Sequence, residues 1–434
     1  MTLPDDETPS WNRLLWGPRR VPEAPLDDET RRAKSLPATL LPAPSGMNHP
    51  LVFEPALKQF ANAYRAGDPR FGEGEEELGR AWHRARRTAL DLVLASVAEG
   101  PWSERLVLRG SVLMATWFGE AARDPGDLDF LFTPRDWAMD DPRSSDLFET
   151  IASDAAAASA RHGSVRIDAA GMVTEEIWTY ERVPGRRMLL PWSAAGVPGG
   201  TVQLDVVFNE FLPFPAALTE LRPLGDGPGC RVRAVSPGLS LAWKLLWLTT
   251  DLYPQGKDLY DAALLAQHAV LSYELLQQAF VLGGTEALRP VGPWLLNGMM
   301  TAPSEWGDFI AEHPWVTQSA EHYHTCLTRA LAPLLGAERT ADGEAGYQRW
   351  ADWLQPLVEF IRATAADDPA PALGYLNDGG RDGLKAAVVV VRELAGPERL
   401  GLTEALAEVL SPQEHWSYWR EHPEACAQLL DELS

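Results

Sequence analysis

Residues 108–132 read LRGSVLMATWFGEAARDPGDLDFLF, and Asp127 and Asp129 stand one residue apart in a run that otherwise has the composition of a buried strand. Side chains alternate along a strand, so these two acids share one face while Leu128, Phe130 and Phe132 fill the other. Two carboxylates about 5 Å apart repel by roughly 3 kcal/mol at an effective dielectric near 20. Burial adds a desolvation cost, so something has to offset the pair: a divalent cation, arginine partners such as Arg109 or Arg123, or a shared proton. Hard carboxylate oxygens suit Mg²⁺, with Mn²⁺ second.

The residues before this pair point the same way. The run LVL at 106–108 reads as a short strand, Gly110-Ser111 as its end, and VLMATWFGEAA as a helix. A helix start offers free N–H groups and a partial positive charge, which together can hold a phosphate. Glycine lets the backbone approach closely, and the serine hydroxyl adds a donor; a turn and N-cap is the plainer reading of Gly-Ser alone. Phosphate grip and cation site could then face one ligand, a metal-bound nucleoside triphosphate.

A third acid interrupts the apolar run VQLDVVF at 202–208. A strand beside DLDFLF would bring Asp205 to the pair, as a third metal ligand or as the base for an attacking hydroxyl. Further on, SLAWKLLWL (240–248) sets Lys244 inside an apolar helix, and GKDLYDAALLA (256–266) supplies Asp258 and Asp261. The lysine can either snorkel to solvent or meet a phosphate.

Taken in order, R-G-S, D-L-D-F, V-Q-L-D-V, W-K-L and K-D-L-Y-D resemble the AbiEii/AbiGii-type nucleotidyltransferases, members of the minimal nucleotidyltransferase or DNA polymerase β-like superfamily. The resemblance covers about residues 80–275. It implies an α/β (α+β) nucleotidyltransferase fold, a mixed sheet flanked by helices, with a mostly helical C-terminal portion. It also implies nucleotide and metal binding by Gly110, Ser111, Asp127 and Asp129, with Asp205 at the family's acidic strand position. By the same resemblance Arg123 matches the arginine of the turn before the acids, and Lys244 the helical lysine that contacts nucleotide. Asp258 and Asp261 match the two acids of the later K-D-x-x-D motif. The implied reaction moves a nucleoside monophosphate from an NTP to an acceptor with Mg²⁺, a tRNA 3′ end before a protein. Many members are toxins of toxin–antitoxin or phage-defence pairs, which implies a cognate antitoxin. Two other readings fit parts of the pattern: a catalytically silent scaffold on the same fold, and a glycosyltransferase using D-x-D. The latter leaves Gly110-Ser111 and K-D-L-Y-D without a purpose.

Composition bounds the rest. The 434 residues carry a net charge of −23, and residues 281–434 hold 10 Lys and Arg against 23 Asp and Glu. So acidic a surface argues against broad nucleic-acid binding. RAWHRARR (80–87), with GRR (185–187) second, is the candidate basic patch, and a solvated helix face is the simpler reading of it. Three dispersed cysteines point to a reducing compartment, and no signal peptide or bilayer-length apolar run is evident, so the expected location is the cytoplasm, away from membrane. HYHTC (322–326) lies in a helical stretch that splays its ligands, and GDGPG (225–229) reads as a loop rather than a dinucleotide fingerprint.

Three regions follow: 1–50, a proline-rich arm expected to be extended or partly disordered, with a docking arm that wraps the body as the alternative; 51–235, the nucleotidyltransferase domain; and 236–434, a helical region carrying the lysine and K-D-x-x-D motifs. Helices are expected at 54–66, 76–99 and around 145–161, β runs at 165–167, 175–183, 186–192 and 202–208, and loops at 367–374 and 394–401.

Overall fold

The computed structural model describes residues 9–14, 19–135, 137–179, 183–251, 254–292, 295, 306–335, 346–365, 370–411 and 414–434. The chain divides into two compact units, Met1–Glu210 with Pro215–Ser236, and Phe211–Phe214 with Pro237–Ser434.

The first unit is built on an eight-stranded mixed sheet. Its strands are β3 (Leu106–Arg109), β4 (Leu128–Phe132), β5 (Val165–Ile167), β6 (Val173–Thr179), β7 (Val183–Ala194), β8 (Val197–Val207), β9 (Ala217–Leu221) and β10 (Cys230–Ala234). Their order is β5-β7-β8-β4-β3-β10-β9, with β6 also on β7. The β4–β8 and β3–β10 pairs are parallel, and the others are antiparallel. Leu128, Phe130 and Phe132 are buried, as alternation requires, and Phe132 stacks on Trp137 at 4.3 Å.

Helix α2 (Glu76–Glu99) lies on this sheet beside α4 (Pro142–His162). Glu76 and Glu77 suit its positive N-terminal end, while Trp82, Ala89, Leu92, Val93 and Val97 form the buried face. The same helix buries Arg86, Thr88 and Asp91. The Asp91 carboxylate accepts the backbone N–H groups of Leu224 and Gly225, both at 2.8 Å, and so anchors the GDGPG loop.

Two expectations at the N-terminal end are corrected. Residues 54–66 form no α-helix; a single 3₁₀ turn at Pro55–Leu57 is followed by strand β2 (Tyr64–Ala66), which pairs with β1 (Leu51–Phe53). Leu57 and Ala63 pack on Ile177 of β6, and this packing overrides the weak helical spacing of a 13-residue stretch. Nor is the described part of 1–50 an extended, poorly ordered arm. Trp11, Leu14, Val21, Leu36, Leu40, Ala43 and Leu51 make a core of their own, and a short helix α1 (Asp28–Ala33) lies between its members in the chain. The Ala38 N–H also donates to Glu175 Oε2 at 2.7 Å. Prolines fix the turns, and apolar residues between them supply enough burial to order the segment.

The second unit is helical. Helix α5 (Pro237–Thr250) is buried from Gly238 to Leu248 and packs against α6 (Gly256–His268) and α7 (Tyr273–Val281). Beyond these come α8 (Trp306–Glu312), α9 (Ala320–Leu331), α10 (Gly346–Thr364), α11 (Ala370–Tyr375), α12 (Gly380–Ala395), α13 (Leu402–Leu410), α14 (Ser417–Arg420) and α15 (Pro423–Leu433). Tryptophans anchor this packing: Trp243, Trp353 and Trp416 are among the largest fully buried side chains. The expected loop at 367–374 is helical from Ala370, and its first residues lie outside the described set. The loop at 394–401 forms after Ala395, where Gly396 takes φ +99°. Among the described residues no helix is long and apolar enough to cross a membrane.

Candidate active site

Strand β3 ends at Arg109, and Gly110 turns the chain into α3 (Ser111–Phe118) with φ +83° and ψ −151°. Few residues other than glycine adopt this conformation. A Cβ at Gly110 would also lie 2.5 Å from Asp129 Oδ2. The glycine and the second acid are therefore coupled through space: the carboxylate of β4 occupies the room that a side chain at 110 would need. Ser111 is buried, and its hydroxyl lies 3.4 Å from Asp127 Oδ1.

Strand pairing assembles the third acid. Asp205 on β8 lies directly beside Asp129 on β4, and Asp127, Asp129 and Asp205 each offer an oxygen within 4.8 Å of the others. Asp127 and Asp129 are half-buried, and Asp205 is buried. Like charges this close repel by roughly 3 kcal/mol per pair at a dielectric near 20. The donor set is all carboxylate oxygen, with no His or Cys, which fits Mg²⁺ or Mn²⁺ and not Zn²⁺.

Two arginines support the site: Arg109, a partner the sequence suggested, and Arg187, which it did not assign to the site. Register places Arg109, Asp129, Asp205 and Arg187 in one row across β3, β4, β8 and β7, so a cation stands at each end of the pair of acids. Arg187 grips Asp205 bidentately, Nε to Oδ1 at 2.9 Å and Nη2 to Oδ2 at 2.8 Å. Arg109 donates to Glu210 at 2.6 Å, both side chains being buried. Burial pushes the Asp205 carboxyl above its usual range, with Asp127 and Glu54 adding to that and Arg187 opposing it. The signal was present but non-local: one buried base and one buried acid on the two strands of a hairpin, in otherwise apolar runs.

Part of the candidate basic patch turns inward. Arg86 is buried and donates to Asp68 Oδ2 at 2.8 Å and to the Gly126 carbonyl at 2.6 Å. Arg87 Nε donates to Asp124 Oδ1 at 2.8 Å. Two members of RAWHRARR thus hold the turn that precedes the acids, which leaves Arg80 and Arg84 for the outer face, near Glu77. Arg123 lies half-buried in the same turn.

Lys244, Asp258 and Asp261 meet in the second unit. Lys244 Nζ donates to Asp258 Oδ1 at 2.6 Å and lies 3.3 Å from Asp261 Oδ2. The two acids stand three residues apart on α6 and so share a face. All three residues are buried, which excludes the snorkelling lysine.

A search of curated proteins returned no match for this chain. A family model, described as nucleotidyl transferase AbiEii toxin, type IV toxin–antitoxin system, matches residues 92–366. The match contains α3, the three acids, Arg187 and the Lys244 cluster, and leaves the N-terminal segment and the last helices outside. With more than half of its length so matched, the chain belongs to the AbiEii family of nucleotidyl transferases.

Proposed function

We propose that this protein transfers a nucleoside monophosphate from an NTP to an acceptor, using Mg²⁺ held by Asp127, Asp129 and Asp205. The observation that carries this is the convergence of three carboxylates, Asp129 and Asp205 on adjoining strands and Asp127 just before β4, with Asp129 over the glycine that opens α3. The acceptor hydroxyl oxygen bonds to the α-phosphorus, the bond to the β-phosphate's bridging oxygen breaks, and pyrophosphate leaves. The hydroxyl proton passes to a carboxylate, for which Asp205 is the candidate. Gly110, Ser111 and the first N–H groups of α3 bind phosphate, with Arg123 beside them. A bound divalent cation supplies charge neutralisation to the triphosphate and its leaving group. The family resemblance implies a nucleotide contact for Lys244, but its burial between Asp258 and Asp261 supports a charge cluster closed within the second unit. Catalysis in such a site is mostly positioning and electrostatics.

The acceptor we favour is a tRNA 3′ end, with a protein second. Such an activity suits the toxin of a toxin–antitoxin or phage-defence pair acting in the cytoplasm, checked by a cognate antitoxin. One observation favours a silent scaffold instead: Arg187 already occupies both oxygens of Asp205. Nothing in the geometry favours a glycosyltransferase. The test is a labelling assay with Mg²⁺, each α-³²P NTP in turn, bacterial tRNA and cell lysate. A labelled RNA band with pyrophosphate release supports the reading. A labelled protein band changes the acceptor. No product with any nucleotide transfers the weight to the scaffold.

A further inference from the structure

The Asp205 carboxylate has about four acceptor positions. Arg187 Nε takes one on Oδ1 and Nη2 one on Oδ2, and Gln203 Nε2 approaches Oδ2 at 3.2 Å. One position on Oδ1 is left for a cation or a proton. The guanidinium and the amide together fix the plane of the carboxylate and decide which oxygen can act.

Arg187 is itself held from outside the matched family region. Its Nη1 is buried, makes no hydrogen bond, and lies 3.4 Å from Glu54 Oε2. Glu54 also receives Arg65 Nε of β2 at 3.0 Å. Glu54 sits at the end of β1, in the segment that packs on β6 and precedes residue 92, where the family match begins. The chain thus runs carboxylate, guanidinium, carboxylate from the N-terminal hairpin to the acid cluster. A guanidinium shared between two carboxylates binds each less exclusively than one paired with a single acid.

We propose that Arg187 is a positioning residue that presents one oxygen of Asp205 to the metal, and that Glu54 sets how tightly Arg187 holds it, so that the N-terminal hairpin is a working part of the site. This rests on the metal-site reading above. Without Glu54 the full Arg187 charge falls on Asp205 and the cluster attracts cations less. Without the fork geometry of arginine, Asp205 is free to turn.

The test is Mn²⁺ titration of the full chain, free Mn²⁺ being read by electron paramagnetic resonance, with circular dichroism confirming the fold. Outer partners of metal ligands typically contribute about 10–100-fold in affinity. Arg187→Lys keeps the charge and loses the fork, and is expected to weaken Mn²⁺ binding by about that factor. Glu54→Gln weakens it several-fold, and this effect vanishes when Asp205→Asn is also present. Should Arg187→Lys fail to fold, the Glu54→Gln and Asp205→Asn cycle decides alone. Wild-type affinity in folded Arg187→Lys, or a Glu54→Gln loss that is the same with Asp205 intact or replaced, overturns the proposal. Mn²⁺ uptake unchanged in Asp127→Asn/Asp129→Asn, or absent from the wild-type chain, instead sinks the metal-site reading beneath it, and the proposal with it.

Discussion

Two ionic clusters sit in apolar surroundings here, one in each unit, and they are built differently. The sheet cluster sets Asp127, Asp129 and Asp205 against Arg187, leaves two acids half-exposed, and keeps surplus negative charge. The helical cluster sets Lys244 between Asp258 and Asp261 with all three buried. Surplus charge open to solvent is costly unless a ligand completes it, whereas a closed cluster is complete within the fold. Replacing acids of the sheet cluster should therefore leave stability unchanged or higher, whereas replacing the lysine of the helical cluster should lower it.

The largest expected effect is on activity in the sheet cluster. Asp127→Asn/Asp129→Asn should lower NMP transfer at least about 1,000-fold, as removal of metal and charge stabilisation does elsewhere, with thermal stability unchanged or higher. In the helical cluster, Lys244→Met strands two buried carboxylates and should cost about 3–5 kcal/mol. Hydrogen exchange across residues 237–281 would locate that loss in α5–α7. A variant that kept full protection there would dissolve the contrast. Mg²⁺ at about 100 times its Kd should stabilise the first unit by about 2.7 kcal/mol and leave exchange in the second unchanged. Equal protection of both would mean that the cation is not bound where the acids converge. The smallest effect is at the turn: Gly110→Ala meets both an unfavourable φ and the Asp129 carboxylate, and should cost about 1–3 kcal/mol while also weakening Mn²⁺ binding.

The contrast explains what could be read beforehand. β3, α3, β4 and the strand of Asp205 were legible because each carries its own periodicity, and an acid that breaks an apolar run advertises itself. Placing Lys244 and K-D-L-Y-D on helices was legible for the same reason. Their closure on one another was not, because it depends on how α5 packs against α6. The Arg187–Asp205 pair was hidden by register: Arg187 reads as one of two arginines in GRR until β7 is laid against β8. RAWHRARR reads correctly as a largely solvated helix face, but the inward turn of Arg86 shows only once the segment at 124–126 is folded back onto it. The N-terminal segment was read by its prolines, while the burial of Leu36, Leu40 and Leu57 decided its structure.

The most direct measurement pairs activity with thermal unfolding in one preparation of Asp127→Asn/Asp129→Asn beside the wild-type chain. An assembled, charge-surplus metal site predicts a variant that transfers no nucleotide and melts at or above the wild-type Tm. A variant that still transfers nucleotide, or is inactive only because it melts well below the wild type, would contradict it.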